Sequence, residues 1–94
     1  ELTVGGGMEL LLERVRARLA AGSRSFVINM SECRRADSSG LGELVTCLVT
    51  ATRHGATLRL AAVPSHIQGL MRLANLHKIF EISETDEAAL KSAT

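Results

Sequence analysis

Aromatic side chains are nearly absent from this chain of 94 residues. It contains two phenylalanines and neither tryptophan nor tyrosine, so aromatic stacking on nucleic-acid bases is almost unavailable to it. The formal net charge is only +1, which creates no field strong enough to attract a nucleic acid or an anionic membrane. We therefore expect no direct nucleic-acid partner and no membrane partner.

Long hydrophobic runs and clustered metal ligands are also missing. No apolar stretch approaches the roughly 20 residues of a membrane-spanning helix, and nothing resembles a signal peptide. We therefore expect a cytoplasmic protein in which Cys33 and Cys47 stay reduced. These cysteines lack CxxC spacing, and His54, His66 and His77 lack the spacing of four that would prearrange ligands on a helix. We expect no metal and no cofactor.

The chain is rich in aliphatic residues, which follow alternating helix and strand patterns. Hydrophobic residues make up 46% of the sequence, and the length fits a single domain over residues 1–94. Alternating helices and strands predict parallel strands joined by right-handed helical crossovers. In order, the predicted elements are a helix from Met8 to Leu19, a strand from Phe26 to Met30, a helix from Leu41 to Val49, a strand from Leu58 to Val63, a helix from Pro64 to Ala74, a strand from Ile79 to Ile82 and a short helix at 88–90.

The run Asp37-Ser38-Ser39-Gly40-Leu41-Gly42 lies between the first predicted strand and the second predicted helix. Aspartate, serine and glycine suit a helix start, and a serine oxygen can accept from the free N–H groups of the first turn, so capping explains one of these residues. Capping does not explain Gly40 and Gly42, since a glycine costs a helix interior about 0.8–1 kcal/mol relative to alanine. These glycines indicate either a positive φ or close approach of another molecule.

Other functions also use serine and glycine in a loop before a helix. A serine hydrolase would need a GxSxG elbow and an assignable histidine base, and the sequence has neither. A nucleotide site would carry a P-loop or a GxGxxG run, and both are missing. Helix capping without any partner is the remaining alternative for Ser38 and Ser39.

The chain resembles the STAS domain of bacterial anti-sigma factor antagonists. The resemblance covers nearly all of the chain. It implies a STAS-like α/β fold, with a mixed sheet of parallel strands and crossover helices, and a partner-switching module that catalyses no reaction. The residues that carry it are the strand Phe26-Val27-Ile28-Asn29-Met30, the run from Asp37 to Gly42, and the strand, proline and helix between Leu58 and Phe80.

The resemblance also implies roles for individual residues. In such proteins an anti-sigma factor that is also a serine kinase phosphorylates a serine of the motif, and a serine phosphatase reverses the step. The unmodified form binds the anti-sigma factor and so releases a sigma factor. By position in the motif, the phosphate acceptor is Ser39, with Ser38 as the alternative. The implied partner-binding residues are Asp37, Ser38, Ser39, Gly40, Leu41 and Gly42.

The resemblance leaves other STAS functions open. The alternatives are a scaffold or fragment STAS domain of a larger sensory assembly, and a module that binds a nucleotide or another small ligand. A phosphate on Ser39 would add about −1.5 to −2 charges at the positive end of a helix, a place that tolerates anions. We therefore expect the fold to survive modification, whereas an interface over Ser39 would not.

Two features depart from the family pattern. The family usually has an apolar or aromatic residue before the aspartate, whereas this chain has Arg34, Arg35 and Ala36, so the rim of the site is more basic. Residues 1–4 align with the end of the family's second strand. We therefore expect the complete opening pair of strands to be missing and a sheet of three strands with an uncovered edge beside Phe26 to Met30, to which Leu2 to Val4 adds at most one short strand. We expect the chain to self-associate through this edge.

Overall fold

A computed structural model describes residues 2–4, 10–34 and 37–83 of the chain. In this part of the chain, strands alternate with helices, as the hydrophobic pattern predicts. The elements are β1 (Leu2–Thr3), α1 (Leu11–Ala20), β2 (Ser25–Asn29), α2 (Ser38–Arg53), β3 (Thr57–Ala61), α3 (Ser65–Leu73), a 3₁₀ helix (Leu76–Lys78) and β4 (Glu81–Ser83).

The four strands form one sheet in the order β1-β2-β3-β4, and every neighbouring pair is parallel. Because the strands follow sequence order, right-handed crossovers place α1, α2 and α3 on the same face. The predicted α/β class is confirmed. The prediction of a mixed sheet is wrong for the described residues, because each connection between their strands contains a helix and none is a hairpin.

The strand β1 is the one short strand that the sequence allowed within residues 2–4. Leu2 pairs with Ile28 and Thr3 with Asn29, and the Val4 N–H then donates to the Asn29 carbonyl at 2.9 Å. Leu2 and Val4 are both buried, because alternate residues of a strand point to the same face. The prediction of three strands with an uncovered edge is therefore wrong for the carboxyl-terminal part of β2. Self-association through the remainder of that edge stays a prediction.

One core fills the space between the helices and the sheet. Ile28 and Leu60, on the central strands, are fully buried within it, whereas Val27 and Ala61 form a separate buried pair. Since neighbouring strand residues point to opposite faces, that pair lies on the other side of the sheet. The helices contribute Leu11, Val15 and Leu19 from α1, Leu44, Cys47 and Ala51 from α2, and Ile67 and Met71 from α3.

Several predicted boundaries shift for local reasons. β3 ends at Ala61, because Ala62 has a φ of 54°, outside the range of a strand. β4 begins at Glu81 rather than at Ile79, because the 3₁₀ helix occupies the preceding turn. Helical spacing predicts a buried stripe of Ile67, Leu70, Met71 and Ala74 in α3, but Leu70 and Ala74 are exposed, so the stripe is narrower. Met8 and the short helix predicted at 88–90 lie outside the described residues.

Candidate functional site

The start of α2 is capped by an aspartate and not by a serine. Asp37 is the N-cap, with extended backbone, and its Oδ1 accepts from the Gly40 N–H at 2.8 Å. The Asp37 carbonyl accepts from the Leu41 N–H at 3.0 Å and so begins the helical hydrogen bonds. The alternative that Ser38 or Ser39 serves as the cap is therefore wrong. Asp37 takes this role because its carboxylate is one residue further back, where it reaches the third helical N–H.

Capping by Asp37 leaves both serines free for other chemistry. Ser38 and Ser39 are the first two residues of α2, and both are exposed. Neither hydroxyl forms a hydrogen bond with any part of the chain that the structure describes. Both lie at the end of the helix where free N–H groups give a positive potential. The site therefore presents two accessible hydroxyls in an environment that favours an added negative charge.

The glycines of the motif have ordinary helical backbone. Gly40 and Gly42 lie within α2, and neither has a positive φ, unlike Gly22 and Gly55. The positive-φ explanation is therefore wrong for both. At Gly42, a Cβ added to the backbone would meet nothing within 4 Å, so internal packing does not require glycine there. For Gly42, access from outside is the explanation that remains.

Leu41 differs from the other residues of the motif. It is half-buried and packs against the main core, so it anchors the first turn of α2 to the sheet. Arg34, one of the two arginines that make the predicted rim of the site basic, is exposed. Arg35 and Ala36 lie outside the described residues. The motif thus combines one anchoring side chain with a cap and an accessible surface.

The exposed side of α2 continues the accessible surface for three turns. Ser39, Gly42, Thr46 and Val49 recur at helical spacing, and all four are exposed. We call this set the α2 face. All of its side chains are small and uncharged, and Val49 is 43% exposed. An exposed helix face usually carries charged residues, so the composition of the α2 face is unusual for a surface that only meets water.

Glu43 is the one charged residue of α2 before Arg53, and the sequence analysis did not single it out. It is half-buried, and its Oε2 accepts from the Leu11 N–H at 3.0 Å. Leu11 is the first residue of α1, and the preceding Leu10 supplies no side-chain cap. Glu43 therefore caps the neighbouring helix and holds the starts of α1 and α2 together. A single carboxylate in an otherwise uncharged helix is the sequence signal that could have identified it.

Comparison with protein families identifies the fold that carries this site. The family model described as "Mlab, STAS domain" matches residues 5–83, which is most of the chain. The chain belongs to the STAS domain family. The resemblance inferred from the motif and from the order of elements is thereby confirmed at the level of the family.

The histidines of this STAS domain do not assemble into a site. His54 follows α2 and donates through Nδ1 to the Thr50 carbonyl at 2.8 Å, His66 lies in the first turn of α3, and His77 lies in the 3₁₀ helix. Among the described residues, no group of three or more His, Cys, Asp or Glu could hold a metal ion.

In the same part of the chain, no helix is both long enough and apolar enough to cross a bilayer.

Both cysteines of the STAS domain are buried thiols that form no disulfide. Burial, and after it the Glu43 carboxylate, raise the pKa of Cys47 to about 12, with Arg16 opposing them in part. The Cys47 thiol therefore stays protonated at neutral pH and is a poor nucleophile. Its contribution is to packing on the inner side of α2.

Two surface clefts of the STAS domain lie away from the motif. One, of about 460 Å³, lies between α3 and β4 and is lined by residues that include Arg72 and His77. The other, of about 400 Å³, lies between α1 and α2 and is lined by residues that include Arg16 and Arg53. Neither is lined by residues 38–42, so neither places a phosphate-binding cradle at the motif.

Proposed function

We propose that this STAS domain is a cytoplasmic anti-sigma factor antagonist that is switched off by phosphorylation of Ser39. In the unmodified state it binds an anti-sigma factor serine kinase through the residues from Asp37 to Gly42 and so releases a sigma factor. The observation that carries the proposal is the Ser39 hydroxyl, which is exposed at the start of a helix that Asp37 already caps. The module itself catalyses no reaction.

The location of Ser39 lets one modification change binding without unfolding the domain. A phosphate there meets the positive end of α2, where a negative charge is favoured by about 0.3–1 kcal/mol. The same phosphate adds bulk, hydration and charge at the centre of the proposed docking surface, next to the Asp37 carboxylate. A partner that covers this spot would have to desolvate the phosphate. Binding is therefore lost while the fold is retained.

The α2 face supports a protein partner in particular. Small uncharged side chains let the backbone of a partner approach the helix closely, and Gly42 has open space where a side chain would begin. Such a surface buries few charges on binding, and this limits the desolvation cost of the interface. The partner-binding set of Asp37 to Gly42 therefore extends naturally along the α2 face.

Mapping of the phosphorylated residue tests the proposal directly. The protein is incubated with ATP and with each serine-kinase anti-sigma factor encoded in the same genome, and the modified residue is identified by mass spectrometry. We expect one phosphate on Ser39, its loss in Ser39→Ala, and its retention in the matched Ser38→Ala variant. The cognate serine phosphatase is expected to remove it. Phosphate confined to Ser38 would overturn the assignment, and phosphate on neither serine would overturn the mechanism.

A constitutive scaffold is the second candidate. The description of the matching family model, "Mlab, STAS domain", names no anti-sigma factor antagonist and so leaves this candidate open. In that case the α2 face would hold the domain within a larger assembly without a phosphorylation step. Both candidates predict that Ser39→Ala still binds its partner. Only the antagonist predicts that the partner itself phosphorylates the wild-type protein and then dissociates from it.

A further inference from the structure

Glu43, which caps α1, lies one helical turn after Ser39, the proposed phosphate acceptor. Ser39 and Glu43 are four residues apart on α2, a spacing that places two side chains on the same helical face with their Cβ atoms about 5–6 Å apart. Helical side chains lean toward the amino terminus, so the side chain of Glu43 extends back toward Ser39. The two groups are therefore neighbours although their present roles differ.

The Glu43 carboxylate is held in place by a contact that depends on its position. Its Oε2 lies 3.0 Å from the Leu11 backbone nitrogen, at the first residue of α1. Leu10, which precedes it, has a left-handed backbone with φ of 67° and no side chain that could take over the cap. The first turn of α1 thus depends on a carboxylate from another helix. Moving the Glu43 carboxylate away from Leu11 therefore removes the cap of α1.

We propose that phosphate on Ser39 is transmitted to α1 through Glu43. The phosphate repels the Glu43 carboxylate, which withdraws from the Leu11 N–H, and the first turn of α1 loosens. The inference rests on the proposed function only in taking Ser39 as the modified residue. It adds a second element to the switch, since the start of α1 responds as well as the start of α2.

The charges around Glu43 are consistent with such a relay. Its field already reaches one turn in the other direction, since it contributes to the raised pKa of Cys47, four residues further along α2. Arg14 does not pair with it, because the Arg14 guanidinium donates to the Thr3 carbonyl at 2.9 Å. Arg16 is near enough to oppose Glu43 at Cys47, but within the described residues the only ion pair joins Arg59 and Glu81, on the sheet, so Glu43 forms no ion pair.

The relay changes the surface that the partner meets. Leu10 is 62% exposed and directly precedes Leu11, the donor to Glu43, so an exposed apolar residue adjoins this contact. Phosphorylation then alters the docking surface twice, by adding charge at Ser39 and by releasing the backbone that positions Leu10. A phosphate placed elsewhere on the first turn of α2 would have only the first effect.

Amide hydrogen exchange and NMR shifts of Leu11 test the relay in the isolated protein, without kinase or partner. Phosphoserine is incorporated during synthesis at position 39, or at position 38 as a matched control that has equal charge but lies five residues from Glu43. We expect phosphate at position 39 to speed exchange of the Leu11 amide about twofold to tenfold, the range between a like-charge helical pair and a lost cap. We expect phosphate at position 38 to leave it nearly unchanged.

The variant Glu43→Gln separates charge from geometry. Its amide oxygen can still accept from the Leu11 N–H, but it is not repelled by phosphate, so the effect of phosphate at position 39 on Leu11 should disappear. The relay is wrong if Leu11 does not respond to phosphate at position 39, responds equally to phosphate at position 38, or responds equally in Glu43→Gln. None of these outcomes bears on partner binding, so the proposed function could stand if the relay failed.

Discussion

Helices α1 and α2 bury similar stripes but present very different faces to solvent. Each packs three residues into the common core. The exposed side of α1 is charged, with Glu13, Arg14, Arg16 and Arg18, whereas the α2 face carries no charge. Since the two helices lie side by side on the same sheet, the fold alone does not impose this difference. The difference fits the proposal that α1 stays in water and that a partner covers α2.

A bulky side chain on the α2 face is expected to have the largest effect on partner affinity. Gly42→Arg should weaken binding to the anti-sigma factor kinase by more than tenfold, because the new side chain occupies space that a partner would use. The fold should persist, since a Cβ at Gly42 meets nothing within 4 Å. Gly69→Arg is the matched control, because Gly69 is also an exposed helical glycine with open space around it. Calorimetric titration with the kinase would reveal equal affinities if the α2 face were not the interface.

Adding charge without much bulk sharpens the contrast between the two helices. Thr46→Glu places a carboxylate in the middle of the α2 face, and we expect a loss of affinity of about tenfold, as for an uncompensated charge at an interface. Ala17→Glu adds the same charge to the exposed side of α1 and should leave the affinity nearly unchanged. Titrations of both variants provide the comparison. A larger loss from Ala17→Glu would assign docking to α1 instead.

Removing the cap tests the local structure at the start of α2. Asp37→Ala should lower the free energy of unfolding by about 1 kcal/mol, within the usual range of 0.5–2 kcal/mol for an N-cap. Ser38→Ala should change it by no more than a few tenths, because the serine hydroxyl does not cap the helix. Urea unfolding measures both. Equal losses in the two variants would contradict the assignment of Asp37 as the cap.

Alanine substitution at Gly42 is expected to have the smallest effect, and it separates partner affinity from the free energy of unfolding. Gly42→Ala and Gly69→Ala should each raise the free energy of unfolding by roughly 0.5–1 kcal/mol, since alanine is favoured over glycine in a helix. Only Gly42→Ala should also reduce partner affinity. Thermal unfolding and titration together measure the two effects. A destabilised Gly42→Ala would indicate that internal packing, and not a partner, selects glycine there.

The sequence predicted the class of the fold and the place of the Asp37 to Gly42 motif at a helix start, because both follow from local patterns. The apolar stripes determined the order of helices and strands, and the motif from Asp37 to Gly42 fell at a helix start, as predicted. Contacts between residues far apart in the sequence were harder to predict. Leu2 and Thr3 are too few to give a strand pattern of their own, so the sequence allowed at most one short strand there, and the register with β2 defines it. The link from Glu43 to Leu11 spans 32 positions, so no local pattern predicted it.

The central claim is that a phosphate on Ser39 abolishes docking while the domain stays folded. The most direct measurement is calorimetric titration of the anti-sigma factor kinase with two preparations of the protein, unmodified and phosphorylated at Ser39, with thermal unfolding of both. The account predicts that affinity falls by more than tenfold on phosphorylation while the melting temperature stays nearly constant. Equal affinities of the two preparations would contradict it, and so would loss of binding that is accompanied by unfolding.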